Sequence, residues 1–172
     1  TTGKYIATPQ FDIAYEFDQF GIARVGVDGK FGYINTNGKY LANPQFDFVG
    51  EFDDNGVAIV MAGKKYGYVS KDCEYVAYLQ FDEAFPFAKN GIARVRIGEK
   101  YGFINSAGEQ IISVQFENAL DFSDNGIAAI KKDSGWGYIN ENGEIIIRTK
   151  FLEAHSFGES NLAYVKNDNG WN

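Results

Sequence analysis

Apolar and polar positions alternate over short stretches of this chain, and the same alternation returns at a fixed interval. The segment Gly21-Ile22-Ala23-Arg24-Val25 recurs as Gly56-Val57-Ala58-Ile59-Val60, Gly91-Ile92-Ala93-Arg94-Val95, Gly126-Ile127-Ala128-Ala129-Ile130 and Asn161-Leu162-Ala163-Tyr164-Val165. Each step is 35 residues, without insertion or deletion. The columns of Ala23 and Val25 stay small or aliphatic, whereas the columns of Arg24 and Gly26 change freely. A period of two predicts a strand with one packed face and one freer face.

A second stretch follows at a constant offset: Phe31-Gly32-Tyr33-Ile34-Asn35, with copies at 66–70, 101–105 and 136–140. It predicts a second strand, with Phe31 and Tyr33 on one face and Gly32 and Ile34 on the other. Glycine inside a strand marks a close approach, and the expected neighbour is the aromatic column of an adjoining unit. Asp28-Gly29 and Asn37-Gly38 carry the chemistry of tight turns on either side of this strand. A third strand is expected over 39–42. The stretch 46–52, with a Phe at each end, is read as a short fourth strand whose rings plug the core.

The units are therefore 21–55, 56–90, 91–125 and 126–160, within one repeat domain over 1–172. Residues 161–172 and 1–20 match complementary columns and make most of a fifth unit, split between the termini. The fold class is all-β: five antiparallel β repeats, most simply a closed five-bladed propeller whose last blade is shared by both termini. An open β-solenoid stack is the alternative. Pairing of residues 3–12 with 161–171 separates ring from stack.

Composition narrows the function. Aromatic residues make up 16% of the chain and glycine occurs 20 times, against three prolines. That mixture fits short strands and tight turns. The formal charge of −7 comes without a Lys/Arg cluster, so the electrostatic footprint of nucleic-acid binding is missing. No apolar run is long enough to span a membrane as a helix, so neither nucleic acid nor membrane insertion is expected. The chain is expected to be soluble, with both a cytoplasmic and a secreted location left open.

Candidate chemistry is sparse. Cys73 occupies the glycine column of the second turn, where Gly38, Gly108 and Gly143 stand in other copies. It reads as a tolerated turn residue rather than a reactive thiol. His155 is the single histidine, in a column that otherwise holds Tyr15, Gly50, Phe85 and Leu120. With one cysteine and one histidine, no common zinc site is expected, and no cofactor. Asp12, Asp47, Asp82 and Glu117 form a carboxylate column broken by Leu152. A pair of catalytic carboxylates needs two unlike environments, and a repeated column offers like ones. Turn hydrogen bonding or hydration of a rim is the expected role.

Together, Gly-x-Ala-x-Val, aromatic-Gly-Tyr-Ile-Asn and the Pro44-Gln45-Phe46-Asp47 block resemble the bacterial WG-repeat family, named for its Trp-Gly pair. Trp136-Gly137 matches that pair as written; Phe31-Gly32, Tyr66-Gly67 and Tyr101-Gly102 keep an aromatic, and Trp171-Asn172 keeps the Trp. The resemblance implies a repetitive β module often joined to other domains, and no single activity. Gly29-Lys30-Phe31-Gly32-Tyr33-Ile34-Asn35 is also similar to choline- and glucan-binding repeats, which carry an aromatic in place of Gly32. The chain is thus read as a non-enzymatic binding or scaffolding module for protein–protein interaction. A lectin-like module for carbohydrate or cell wall is the alternative. Arg24, Arg94 and Tyr164 share a variable column and are of types enriched at binding hot spots, so they are the candidate binding residues.

Overall fold

The computed structural model describes residues 10–158 and 160–172. Every regular element among them is a β-strand, and the strands form five antiparallel sheets. Sheet I contains β1 (Ile13–Ala14), β2 (Ile22–Val27), β3 (Lys30–Asn35) and β4 (Tyr40–Phe46), in that order. Sheet II repeats it with β5 (Phe48–Val49), β6 (Val57–Ala62), β7 (Lys65–Ser70) and β8 (Tyr75–Phe81). Sheet III holds β9 (Glu83–Ala84), β10 (Ile92–Ile97), β11 (Lys100–Asn105) and β12 (Gln110–Phe116). Sheet IV holds β13 (Asn118–Ala119), β14 (Ile127–Lys132), β15 (Gly135–Asn140) and β16 (Ile145–Phe151). Sheet V has three strands, β17 (Glu153–Ala154), β18 (Val165–Asn167) and β19 (Gly170–Trp171).

The short strand expected at the end of each sequence unit is present, but it belongs to the next sheet. Phe48 and Val49 pair with Met61 and Val60. Likewise Asn118 and Ala119 pair with Lys131 and Ile130. A sheet therefore begins just after the recurring block of Pro44-Gln45-Phe46, not at the Gly-x-Ala block. The aspartate column explains the allegiance. The Asp47 amide donates to Met61 O at 2.8 Å, and its carboxylate accepts from the Gly63 N–H at 2.8 Å. Residue 47 is thereby tied to the hairpin that follows it.

The turns follow from their residues. Asp28 and Gly29 both have positive φ, 50° and 73°, which is the two-residue hairpin geometry whose twist matches the flanking strands. Asn35 caps the next turn, its Oδ1 accepting from the amides of Asn37 and Lys39. Asn105 and Asn140 do the same in later copies.

The third long strand runs further than the pattern predicts, through Pro44 to Phe46. Phe31 faces Phe46 and Tyr33 faces Ala42, so the strand bulges opposite Gly32. The bulge is what the glycine column accommodates. A Cβ on Gly32 would lie 2.3 Å from Ala42 O and 2.8 Å from Pro44 N. At Gly102 it would meet Ile112 O at 2.7 Å and Val114 N at 2.8 Å. The expectation of an aromatic ring over this glycine is corrected: the neighbour is the main chain of the adjacent strand in the same sheet.

The chain divides into two compact units after Gln80. In the first, Ile22, Tyr33, Ala42 and Phe46 of sheet I pack with Val49, Phe52, Ala58, Val60 and Val69 of sheet II. In the second, Ile92, Phe103, Ile112 and Phe116 of sheet III pack with Ala119, Phe122, Ala128, Ile130 and Ile139 of sheet IV. The Phe columns plug these cores as expected, each buried ring contributing roughly 1.5–3 kcal/mol. Phe52 lies 4.8 Å from Tyr33, Phe122 4.9 Å from Phe103, and Phe157 5.0 Å from Tyr138, ring centre to ring centre. The face expected to be freer, which carries residue 24, is thus packed against the following sheet. The pairing of residues 3–12 with 161–171 falls in part on residues 1–9, outside the described residues.

Candidate binding surface

Arg24 and Arg94 sit half-buried between successive sheets. Arg24 donates to Glu51 at 2.5 Å and stacks 4.2 Å above the Tyr15 ring. Arg94 lies 3.7 Å above the Phe85 ring, donates from Nε to Asp121 at 2.9 Å, and bonds the Ala119 carbonyl. The arginines therefore join an aromatic of their own sheet to a carboxylate of the next one. The guanidinium plane suits both tasks, since it stacks on a ring while its edge bonds an oxygen. The side chain of Arg94 is only 12% exposed, so its contacts are internal ones. Tyr164 differs from both: it is 71% exposed.

The shared polar columns are turn fixtures. Asp12, Asp47 and Asp82 accept hydrogen bonds from the amides of Asp28, Gly63 and Gly98, at 2.7 to 2.8 Å. Glu117 reaches the Ser134 amide at 3.3 Å. This is the turn role expected of the column. Lys30 and the Gly63 amide hold the Asp47 carboxyl below its ordinary range. The hydrogen bond from Arg96 does the same for Glu83. Asp18 and Asp53 cap the turn before the long strands, each accepting from the amides two and four residues on.

The remaining candidates have local explanations. Cys73 has φ 60° in the column where Gly38 has 75°. It is partly buried against the sheet I–II core. Burial, and secondarily the Asp72 carboxylate, push its thiol up to about 11, opposite to what a nucleophile needs. His155 is exposed and lies 5.2 Å from the Trp171 ring. Among the described residues, no group of three His, Cys, Asp or Glu side chains is placed to hold a metal ion. No helix among them is long and apolar enough to cross a membrane.

A further variable column escaped the sequence reading. Asn43, Tyr78, Ser113 and Arg148 occupy one position of the bulged edge strand, differ in every copy, and are all exposed. Tyr78 is the extreme case at 72%, with its ring 5.0 Å from that of Tyr75. The signal was the variation down the column. It was missed because Pro44 reads as the end of a strand, although proline is tolerated on an edge.

In fold, the chain is similar to the propeller-like Hsv2p of Kluyveromyces lactis, at 10% identity and a TM-score of 0.50, over 88% of this chain and 55% of that one. A structure described as a eukaryotic initiation factor aligns with 7% identity and a TM-score of 0.53, over 87% of this chain and 47% of the other. The chain thus spans about half the length of these structures, and at such identities the likeness concerns the fold alone. No curated protein matches the sequence. The model of the WG containing repeat matches five times in succession, at residues 1–31, 31–66, 66–101, 101–135 and 136–171. With the bulge-facing glycine in four of the five sheets and an aromatic before it, the chain belongs to the WG-containing repeat family.

Proposed function

We propose that the chain is a non-catalytic binding and scaffolding module that engages protein partners through its exposed, copy-variable positions. The observation that carries this reading is the division of labour among columns. Recurring apolar columns form the cores, recurring polar columns cap turns, and the column of Asn43, Tyr78, Ser113 and Arg148 is left exposed and different in each sheet. Such positions change without cost to the scaffold and are therefore free to encode recognition. Tyr and Arg among them are typical anchors of protein interfaces. Tyr164 adds an exposed ring, whereas Arg24 and Arg94 support the scaffold from within.

The carbohydrate reading has less support. Sugar stacking at a repeated site needs an exposed ring in each unit, but the repeated rings Tyr33, Tyr68, Phe103 and Tyr138 are all buried. The test is affinity capture from source-cell extract with the wild-type chain and with a Tyr78→Ala/Arg148→Ala/Tyr164→Ala variant. A partner held by the wild type and lost by the variant is the expected result. Equal recovery by both forms would reject the surface, and a glycan-array hit without protein capture would favour the lectin-like reading.

A further inference from the structure

One turn is built in the same way at several places along the chain, and each time it closes on Asn-Gly. Residues 35–38, 53–56, 88–91, 123–126 and 140–143 end in Asn37-Gly38, Asn55-Gly56, Asn90-Gly91, Asn125-Gly126 and Asn142-Gly143. In all five the glycine has φ between 71° and 77°, and its amide donates to the carbonyl three residues back at 2.8 to 2.9 Å. All five asparagines are exposed. A further Asn-Gly, Asn169-Gly170, stands in a hairpin of different geometry, with Gly170 at φ 112°. Asn-Gly is also the dipeptide whose second amide nitrogen, unshielded by a Cβ, most readily attacks the asparagine side chain.

The five turns differ in what holds the asparagine side chain. In 53–56, Asp53 caps the turn, accepting from the amides of Asn55 and Val57. Among the described residues, nothing bonds the Asn55 side chain. Asn35 and Asn140 cap 35–38 and 140–143 in the same way, which leaves the Asn37 and Asn142 side chains equally free. Ala88 offers no such oxygen, and Asn90 takes over the cap. Its Oδ1 accepts from the Ile92 amide at 3.2 Å, and its Nδ2 donates to Glu141 at 2.9 Å. In 123–126 the Ser123 hydroxyl bonds Asn125 Oδ1, and Asn125 Nδ2 donates to Asn161 at 3.2 Å. Backbone, glycine and exposure are matched, and the freedom of the asparagine side chain is what varies.

We infer that Asn37, Asn55 and Asn142 are sites of spontaneous conversion to aspartyl and isoaspartyl residues, and that Asn90 and Asn125 are locked against it by their side-chain partners. The glycine amide nitrogen gives its proton to water and bonds to the asparagine Cγ. The Cγ–Nδ2 bond breaks and ammonia leaves, closing a cyclic imide. Water then opens either carbonyl of that ring. One opening gives aspartate; the other gives isoaspartate, with an extra carbon in the main chain. Water is the co-reactant, and nothing is oxidised or reduced. Every copy must first release the glycine amide from its carbonyl, so that step cancels in the comparison. Asn90 and Asn125 must in addition release two side-chain bonds each, which slows them roughly tenfold or more. Conversion at Asn55 sets a further carboxylate beside Asp53 and Asp54, at the entry to β6.

Ageing the folded chain at mildly alkaline pH, followed by digestion and mass spectrometry, tests this. Each conversion replaces an amide NH2 by OH and is read as a mass gain in its peptide; chromatography separates isoaspartate from aspartate. Peptides with Asn37, Asn55 and Asn142 are expected to convert roughly tenfold faster than those with Asn90 and Asn125. In denaturant all five are expected to convert at closely similar rates. Ser123→Asp combined with Asn161→Gly gives 123–126 the sequence of 53–56 and takes away both partners of Asn125. Both replacements are residues that other copies carry in these columns, Asp53 and Gly126 among them, and circular dichroism verifies the fold. Asn125 is then expected to convert at the rate of Asn55. An Asn125 that keeps pace with Asn55 in the wild type, or that stays slow in the double variant, overturns the inference. So does an Asn55 that resists in the folded chain while it converts in denaturant.

Discussion

Gly102 and Cys73 show two different demands on a single position. The column of Gly102 needs space: a side chain there would run into the main chain of the β12 bulge. Gly98 needs only a positive φ, 61°, with nothing near its would-be Cβ. Gly98→Ala should cost on the order of 1 kcal/mol from the left-handed backbone alone. Gly102→Ala should cost about 3 kcal/mol or more, because the main chain of β12 must move. Urea unfolding of the two variants measures the difference, and equal costs would remove the bulge as the cause of the glycine column. Cys73 tests burial in turn. With its pKa raised to about 11, the thiol contributes stability that is full below the ordinary value of 9.0 and lost as pH rises towards 11. Labelling by a thiol reagent should be slow at neutral pH in the folded chain and become fast in denaturant. Prompt labelling of the folded form at neutral pH would place the thiol among reactive cysteines after all.

At the scale of elements, the aromatic–arginine–carboxylate contacts are where sheets recognise one another. Removing Arg94 takes a donor from the fully buried Ala119 and uncovers the Phe85 ring. We expect Arg94→Ala to cost about 2 kcal/mol, within the range for unsatisfied buried groups. Arg24→Ala should cost about 1 kcal/mol or less, because Glu51 is largely exposed and such pairs contribute little. Arg94→Lys should recover little, since an ammonium keeps the charge but neither stacks nor forks. Full recovery by lysine in chemical denaturation would show that charge alone holds the junction. This element was half legible in the sequence. Column 24 was visible as variable, but its placement between sheets was not, because face-to-face stacking leaves no local periodicity. The aspartate column was legible as turn chemistry, since the residue type itself favours that role. The bulge was not, because it offsets the backbone without altering the side-chain pattern, and it hid the exposed column of Tyr78 with it.

Over the whole molecule, repetition fixes the architecture but not a uniform stability. A repeat's stability is the sum of its own strands and its contacts with neighbours, so sheets covered on both faces should differ from a sheet covered on one. Within the second unit, sheets III and IV share a core of fully buried rings and aliphatic side chains. Sheet V has shorter strands, β18 and β19, whose residues are at most half-buried. Amide hydrogen exchange should therefore find β11 and β15 most protected and β18 and β19 least, in the order that local opening requires. Sheet V exchanging as slowly as sheet IV would show that strand length and burial do not set local stability in this chain.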